Sequence, residues 1–351
     1  MKAVCDSTAF SQACSIMRAY DKGSILLEVI QREKKSYLGI GVTSHHYGGV
    51  ILIEATNVEP GSTLVQSDKV FKIMRRWKGP MTISDSGEGK LSLKGGASAV
   101  VHSMPPQTAL PTPKMPKSFI SLLVDEALAI TTTSVTKKDE NWGYIQLEKT
   151  ERGLRASSTD RFVVSLRDIS IQRDIENITW YLPTLLVDFV RLVAKVHELR
   201  TDVPIIKIGE TASRYHIIVG NVASLYAPRL QSPRPVPYRQ MEQLESVFSV
   251  TLSRRGLLDG MEQCSSIGDG VSIELEGEDL SLLAQKQGEH ISWPLEAKAL
   301  EGTPPKGLLH PSHVITILQS MIAEEISLTH LGRAIRIRSG NHYAYAGVKR
   351  V

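Results

Sequence analysis

The sequence predicts an α+β chain of three tandem domains, each with two helices packed on antiparallel sheets. Three observations carry this prediction. First, a block in which an apolar helix runs into a short strand, a tight polar turn and two more strands occurs three times. The copies are SDKVFKIMRRWKGPMTISDSGEGKLSLKGGASAVVHSMP, LPTLLVDFVRLVAKVHELRTDVPIIKIGETASRYHIIVGNVASLYAP and HPSHVITILQSMIAEEISLTHLGRAIRIRSGNHYAYAGVKRV. They start near Ser67, Leu182 and His310, a spacing of roughly 115 to 130 residues that is a domain length, not a solenoid period. Second, two proline-rich stretches each follow a repeated block directly. One carries Pro105, Pro106, Pro111, Pro113 and Pro116, the other Pro228, Pro233, Pro235 and Pro237. Proline lacks a ladder donor and stiffens an extended chain, so both read as semi-rigid connectors. Third, each domain opens with a helix of its own. Domains over 1–115, 116–243 and 244–351 follow.

The opening helices are STAFSQACSIMRAY, PKSFISLLVDEALAI and LSRRGLLDGMEQCSS. After them come alternating segments such as SYLGIGVT, GGVILIEAT and WGYIQLEKT, which read as strands. The unit is strand, helix, three strands, and then the same order again, so each domain is internally duplicated. About six helices and about two dozen strands are expected. Three equal domains point to a protein that works by its shape rather than through one catalytic pocket.

With 351 residues, of which 42% are apolar and 22% charged, the chain has the makings of two or three ordinary globular cores. No stretch approaches the ~20 apolar residues of a membrane span, and the N-terminus has no signal-peptide core. Cys5, Cys14 and Cys264 are odd in number and widely spaced, without a CxxC pair. That pattern suits a reducing compartment and argues against a disulfide framework or a zinc site, so a cytoplasmic protein without a cofactor is expected. A net charge of +4 permits a nucleic-acid partner without demanding one.

Three collinear stretches give the chain a relative. EPGSTLVQSDKVFKIMRRW, GLRASSTDRFVVSLRDI (similar to an Ala-Thr-Asp-x-x-Arg-Leu-Ala signature) and LLHPSHVITILQSMIAEEISLTH, with the last strand, together resemble the bacterial sliding clamp, the DNA polymerase III beta subunit family. The resemblance runs nearly end to end. It implies three tandem DNA-clamp domains forming half of a toroidal ring, a head-to-tail homodimer whose helices line a hole around duplex DNA and whose sheets form the outer wall. It also implies partners: double-stranded DNA held without sequence preference, a replicative polymerase, a clamp loader and other proteins with clamp-binding motifs. Such a ring removes exposed sheet edges and closes a heterologous interface. The alternative is a clamp-fold adaptor that binds replication or repair proteins without encircling DNA.

On the helix predicted over Asp68–Trp77, Val70, Ile73, Met74 and Trp77 share one face, while Lys69, Lys72 and Arg76 recur at i, i+3 and i+7 on the other. The helix from Leu185 carries Asp188, Arg191, Lys195 and Glu198 on one stripe. Alone, these are solvated faces. In a ring they would meet phosphates weakly enough to slide. Lys22, Lys137 and Lys138 are further DNA candidates by position. Thr184 and Leu185 stand where the family often has Arg-Lys, and His313, Thr316 and Gln319 leave the third domain's second helix almost uncharged, so DNA contact is expected to lean on the first two domains.

The resemblance also implies a cleft for a short apolar peptide between domains 2 and 3. Carried over by position, it draws on Thr159, Asp160, Phe162, Val163 and Val164 from the Thr-Asp motif, with Trp142 at the rim. The second linker contributes Val236, Gln240 and Met241. The tail contributes Tyr345, Gly347, Val348, Arg350 and Val351. Val163 replaces the motif's arginine, and Gly-Val-Lys-Arg-Val replaces a Met-rich ending, which makes the pocket less adaptable. For the dimer seam, the strand ASAVVHSMP offers Ala99 and Val101, with Ile267 as the partner from domain 3. Smaller side chains there bury less area.

Other signals are set aside. GEGKL at Gly87–Leu91 has Leu91 where a phosphate loop needs Ser or Thr, and lies between strands, so it reads as a hairpin turn. His45 and His46 lack the i, i+4 spacing of a zinc enzyme. With no GxSxG and no CxxC, a catalyst is not expected.

Overall fold

The structure, a computed structural model, describes residues 1–32, 34–44, 47–85, 87–111, 116–133, 143–195, 205–220, 222–304 and 306–349. They form two compact units. One comprises Met1–Leu128 and Leu185–Arg229, the other Ala129–Thr184 and Leu230–Val351.

The chain is α+β and its strand pairs are antiparallel, in the order the sequence predicts. Strand Lys2–Asp6, helix Ser7–Arg18 and strands Ser24–Arg32, Lys35–Thr43 and Gly48–Glu54 are followed by strand Ser62–Gln66, helix Ser67–Met74 and strands Pro80–Asp85, Lys90–Lys94 and Ser98–Met104. Thr56–Glu59 is an additional short strand. The middle and last parts of the chain repeat this order, with Ala297–Gly302 as a second addition. Two helix starts are capped by a side chain. The Asp6 carboxylate accepts from the Thr8 and Ala9 amides at 2.8 and 3.0 Å, and Arg18 stands in the last turn where the helix dipole favours a cation. Ser253 caps Arg254–Ser265 in the same manner through Gly256 N–H.

Local pattern misleads in three places. The predicted helix PKSFISLLVDEALAI opens as a strand, Ser118–Leu122, and becomes helical only over Val124–Thr131. Its apolar run fits either period. Pairing with Ile206–Glu210 decides for strand, and Glu126 accepts the Leu123 amide to start the helix. The second helix of the first repeat ends at Met74, not Trp77, because Gly79 (φ +81°) and Pro80 turn the chain into the next strand. The second linker is not simply extended, since Tyr238–Glu242 forms a short helix.

In the first unit, one thirteen-stranded sheet of described residues joins sequence repeats. Ala223–Pro228 pairs with Gly48–Glu54, with Tyr226 opposite Gly48. A Cβ at Gly48 would lie 2.5 Å from the Tyr226 hydroxyl, so glycine is what admits that ring. The strand Gly48–Glu54 is buried on both faces from Gly48 to Ile53, which is why GGVILIE reads as a near-continuous apolar run. Gly39 and Gly41 present backbone to Leu110 of the first linker, which packs on Leu26, Val50 and Leu52. The Leu110 amide donates to Glu28 Oε2 at 3.1 Å.

In the second unit the sheet centres on the last strand, His342–Lys349. It pairs with Val163–Ser170 along one edge and Ala334–Ser339 along the other, and its end reaches Leu308 and Leu309. The second linker is tied as the first is. The Val236 amide donates to Gln146 Oε1 at 2.7 Å, from the strand that corresponds to the one holding Glu28. The helices Arg254–Ser265 and Pro311–Ser320 share a core through Leu257, Met261, Cys264, Val314, Ile317 and Leu318. Among the described residues no helix is long and apolar enough to cross a membrane.

Candidate functional site: an apolar cleft and a basic helix face

The cleft is organised by a tight turn that the Thr-Asp pair builds. Thr159 Oγ1 donates to the Val163 carbonyl at 2.7 Å and accepts the Arg161 amide at 3.0 Å. Asp160 Oδ1 accepts the Phe162 and Val163 amides at 3.0 and 2.7 Å. The turn forces Arg161 to φ +82°, a left-handed conformation that costs about 1–2 kcal/mol for a residue with a Cβ. It directs Val163 inward, where it is fully buried, and leaves Phe162 64% exposed. A large apolar ring held in water by two carboxylate hydrogen bonds is a feature to explain.

A second wall comes from the linker. The Arg155 guanidinium grips Asp168 through two bonds, at 2.7 and 3.0 Å, and Glu242 at 2.9 Å, while lying over the Tyr238 ring. The hydrogen bond to Asp168 raises the Arg155 pKa further above its already high value. Tyr238 donates to Glu148 and Tyr144 to the Arg234 carbonyl. These ties hold Pro237 and Met241 against the cavity.

Between them lies a cavity of about 680 Å3, within the size range of small-ligand and peptide-anchor pockets. The turn contributes Thr159, Arg161, Phe162 and Val164. The last strand contributes Tyr345 through Lys349, and the start of the Pro311–Ser320 helix contributes His310 and His313. Asp269, Gly270, Leu308 and Ala334 complete it. Its lining is mostly apolar, with Tyr345 and Val164 belonging to a buried cluster with Tyr144, Leu166, Val236, Tyr238 and Leu331.

Of the residues expected at a cleft, Thr159, Phe162, Val164, Met241, Tyr345, Gly347 and Val348 line this cavity. Asp160 stands behind it as the turn's acceptor. Val163 belongs to the core with Phe248 and Val250, because strand alternation sends it to the opposite face from Phe162 and Val164. Val236 is buried beneath the linker, and Gln240 does not line the cavity. Trp142, Arg350 and Val351 lie outside the described residues. Sequence reasoning missed His310, His313 and Lys349. The helix-start position of the two histidines was legible, but not their meeting with a turn some 150 residues earlier.

Nearby, His342 is buried and its Nε2 lies 2.9 Å from Ser165 Oγ. Burial, helped by the positive charge of Arg167, holds its pKa down at about 4.

The basic candidates gather in the first unit. Lys69 and Lys72 are exposed on Ser67–Met74, and Arg76 is exposed in the turn just after it. Lys22 is exposed in a turn whose carbonyl accepts from Ser67 Oγ at 2.8 Å, so it stands at the start of the same helix. Arg75, absent from the sequence-based set, is exposed beside them. The one acid of that helix, Asp68, is paired with Arg18, which also covers the Phe71 ring. Arg191 bonds Asp188 at 2.7 Å, so its charge is largely offset. Tyr20, at the end of the first helix, donates to the Leu185 carbonyl and meets Phe189 edge-on. Lys195 ends the Thr184–Lys195 helix, its side chain outside the described set, as are Lys137, Lys138, Glu198, His45 and His46.

For the seam, Ala99 and Val101 pair with Leu93 and Leu91 and share their inward face, Val101 being buried. The outward apolar residues of that strand are Val100, 64% exposed, and Met104. The difference is one of register, since a shift of one position exchanges the faces. Over Ser98–His102 the strand pairs on one side only among the described residues. Ile267 follows the Arg254–Ser265 helix and packs partly on its core. Gly87 and Gly89, at φ +79° and +70°, turn the chain between strands Pro80–Asp85 and Lys90–Lys94. Among the described residues no cluster of His, Cys, Asp or Glu could hold a metal ion.

The architecture is that of the sliding clamps, whose solved structures it matches along its whole length. The DNA polymerase III beta subunit of Thermotoga maritima superposes with a TM-score of 0.85 at 16% identity, covering 100% of this chain and 99% of that one. The beta chain of Streptococcus pneumoniae gives 0.83 at 11%, covering 100% of both. The beta subunit of Borrelia burgdorferi, solved with a natural product, gives 0.84 at 11%, covering 100% and 98%. At such identities the likeness is one of fold. No family model matches the sequence, and no curated protein matches it either.

Proposed function

We propose that the chain is a DNA sliding clamp. Its three clamp domains, 1–115, 116–243 and 244–351, form half of a ring; two chains close head to tail around duplex DNA and tether a polymerase to it. The observation that carries this reading is the full-length clamp fold. The exposed cations Lys22, Lys69, Lys72 and Arg76, joined by Arg75, supply the phosphate-facing surface. Their contacts are nonspecific and salt-dependent, as sliding requires. The cavity around Phe162 and Tyr345 receives the apolar anchors of partner peptides, including those of polymerase and loader. The chain's work is binding, without chemistry of its own, in the cytoplasm.

Light scattering across a dilution series tests the ring: a mass near twice 38.7 kDa is expected. Loading onto circular DNA by the cognate loader is then compared with a Lys69→Glu, Lys72→Glu, Arg76→Glu variant. Reversing three charges is expected to abolish retention at about 150 mM salt. Unchanged retention would refute the assigned DNA face. A monomer at every concentration, with no retention on DNA, would favour the adaptor reading.

A further inference from the structure

One face of the first unit's sheet carries rings and cations where the other carries core. Along the register Phe119 lies opposite Gly209, Gly209 opposite His216, His216 opposite Tyr226 and Tyr226 opposite Gly48. Strand alternation therefore sets the rings of Phe119, His216 and Tyr226 on one face and buried Tyr215, Ile217 and Val219 on the other. The three rings span four adjacent strands, a reach of about 14 Å at ~4.8 Å per strand. Phe119 is 40% exposed, His216 and Tyr226 are half-buried, and the last two have centroids 5.9 Å apart. Glycine keeps the row open, since a Cβ at Gly209 would lie 3.0 Å from Phe119 Cβ.

Cations frame the rings. Lys207 Nζ lies 5.3 Å from the Phe119 centroid and the Arg214 guanidinium 4.5 Å from that of Tyr226. Lys117, two positions before Phe119, is exposed. Among the described residues no ion pair engages Lys117, Lys207 or Arg214. The single acid of the four strands, Glu210, alternates to the other face and pairs with Arg229 at 3.5 Å. Burial and the charge of Arg214 lower the His216 pKa, so at neutral pH that imidazole is an uncharged ring. A sheet face that meets only water carries polar side chains of both signs. This one carries rings and a single sign.

We propose that this face is a docking platform for single-stranded DNA, with two or three bases stacking on Phe119, His216 and Tyr226. The cations that now lie against the rings turn to the phosphates. Charge complementarity selects a polyanion, and exposed rings select unpaired bases, whose faces a duplex hides. An acidic peptide would satisfy the cations and leave the rings unused. The platform is separate from the basic helix Ser67–Met74 and from the cavity around Phe162. Only the choice of DNA over RNA rests on the clamp reading: a chain that travels on duplex DNA meets unpaired template wherever synthesis is incomplete.

Anisotropy of a fluorescein-labelled dodecathymidylate, titrated with the full-length chain, tests this. Between about 50 and about 200 mM salt the affinity is expected to fall about 20-fold, the slope of three phosphate contacts on a single strand. Phe119→Ala, at an exposed position, is expected to weaken binding about tenfold, and Arg214→Glu about as much. Both variants are expected to keep the parent's retention on circular duplex DNA, so failure of the clamp reading shows in retention and failure of the platform in the titration. Irradiation of an oligomer carrying 5-iododeoxyuridine, followed by peptide mass spectrometry, is expected to attach DNA at Phe119 or Tyr226. Cross-links confined to Ser67–Met74 or to the cavity lining overturn the platform, as does affinity that neither variant changes. A duplex of equal length that Phe119→Ala weakens as much overturns the selection of unpaired bases. Tighter binding of an oligouridylate, lost in Phe119→Ala, overturns the choice of DNA. Displacement of the oligomer by polyglutamate at equal charge concentration overturns the nucleic-acid assignment in favour of an acidic protein.

Discussion

Replacing Asp160 by alanine isolates what the Thr-Asp pair contributes. The carboxylate accepts from the Phe162 and Val163 amides at 3.0 and 2.7 Å. Without it, the Phe162 amide can turn to water, because that residue is exposed, and its loss is small. The Val163 amide belongs to a fully buried residue, so an unmet donor there costs about 1–3 kcal/mol. The left-handed Arg161 then loses part of what holds it in place. A local loss of about 2 kcal/mol follows, equivalent to roughly 30-fold faster amide exchange across residues 159–164. Hydrogen exchange followed by mass spectrometry reads this directly. Asp160→Asn, which keeps an acceptor, is expected to lose less than half as much. Exchange in the alanine variant within about twofold of the parent would show that the turn does not depend on the carboxylate.

Other perturbations probe the remaining links. Gly347→Trp is expected to block the cleft and leave the fold intact, since a Cβ there meets nothing within 4 Å; loss of peptide binding with an unchanged melting curve is the result to look for. Leu110→Ala, which empties the seat over Gly39 and Gly41, is expected to cost about 2 kcal/mol and to show as faster exchange in the first linker. His342 is held at about 4 when folded and returns to an ordinary imidazole when unfolded, so the unfolded chain binds more protons between those values. Stability therefore falls as pH drops through 6.5 toward 4, by about 2 kcal/mol between pH 7.5 and pH 5. His342→Gln is expected to flatten that part of the urea midpoint profile, and an unaltered slope would assign it to other groups.

How much was legible in the chain depends on the range of the interaction. The thrice-repeated block and the alternation of segments such as GGVILIE carried the element order, because helix and strand periods are properties of neighbours. The Thr159–Asp160 pair was legible as a motif, though its work is to shape a turn. The apolar run at Ser118–Leu122 was not, since only its pairing with Ile206–Glu210 separates strand from helix. Faces were also lost where a shift of one residue decides them: Val163 and Val101 turn inward, while Phe162 and Val100 turn out.

By itself, the sequence determined the α+β class and the strand–helix–three-strand order; both follow from hydrophobic periodicity and turn chemistry. The places of Lys69 and Lys72 along their helix were likewise a local property, whereas Arg76 falls in the turn after it. Tertiary structure alone decided that His342–Lys349 would lie beside Val163–Ser170, that Leu110 and Val236 would be pinned to corresponding strands, and that Phe162, His313 and His310 would stack into one wall. Those juxtapositions join residues far apart in the chain. Closing such loops has an entropic cost that only the completed sheets and their buried faces offset, so no local pattern can announce them.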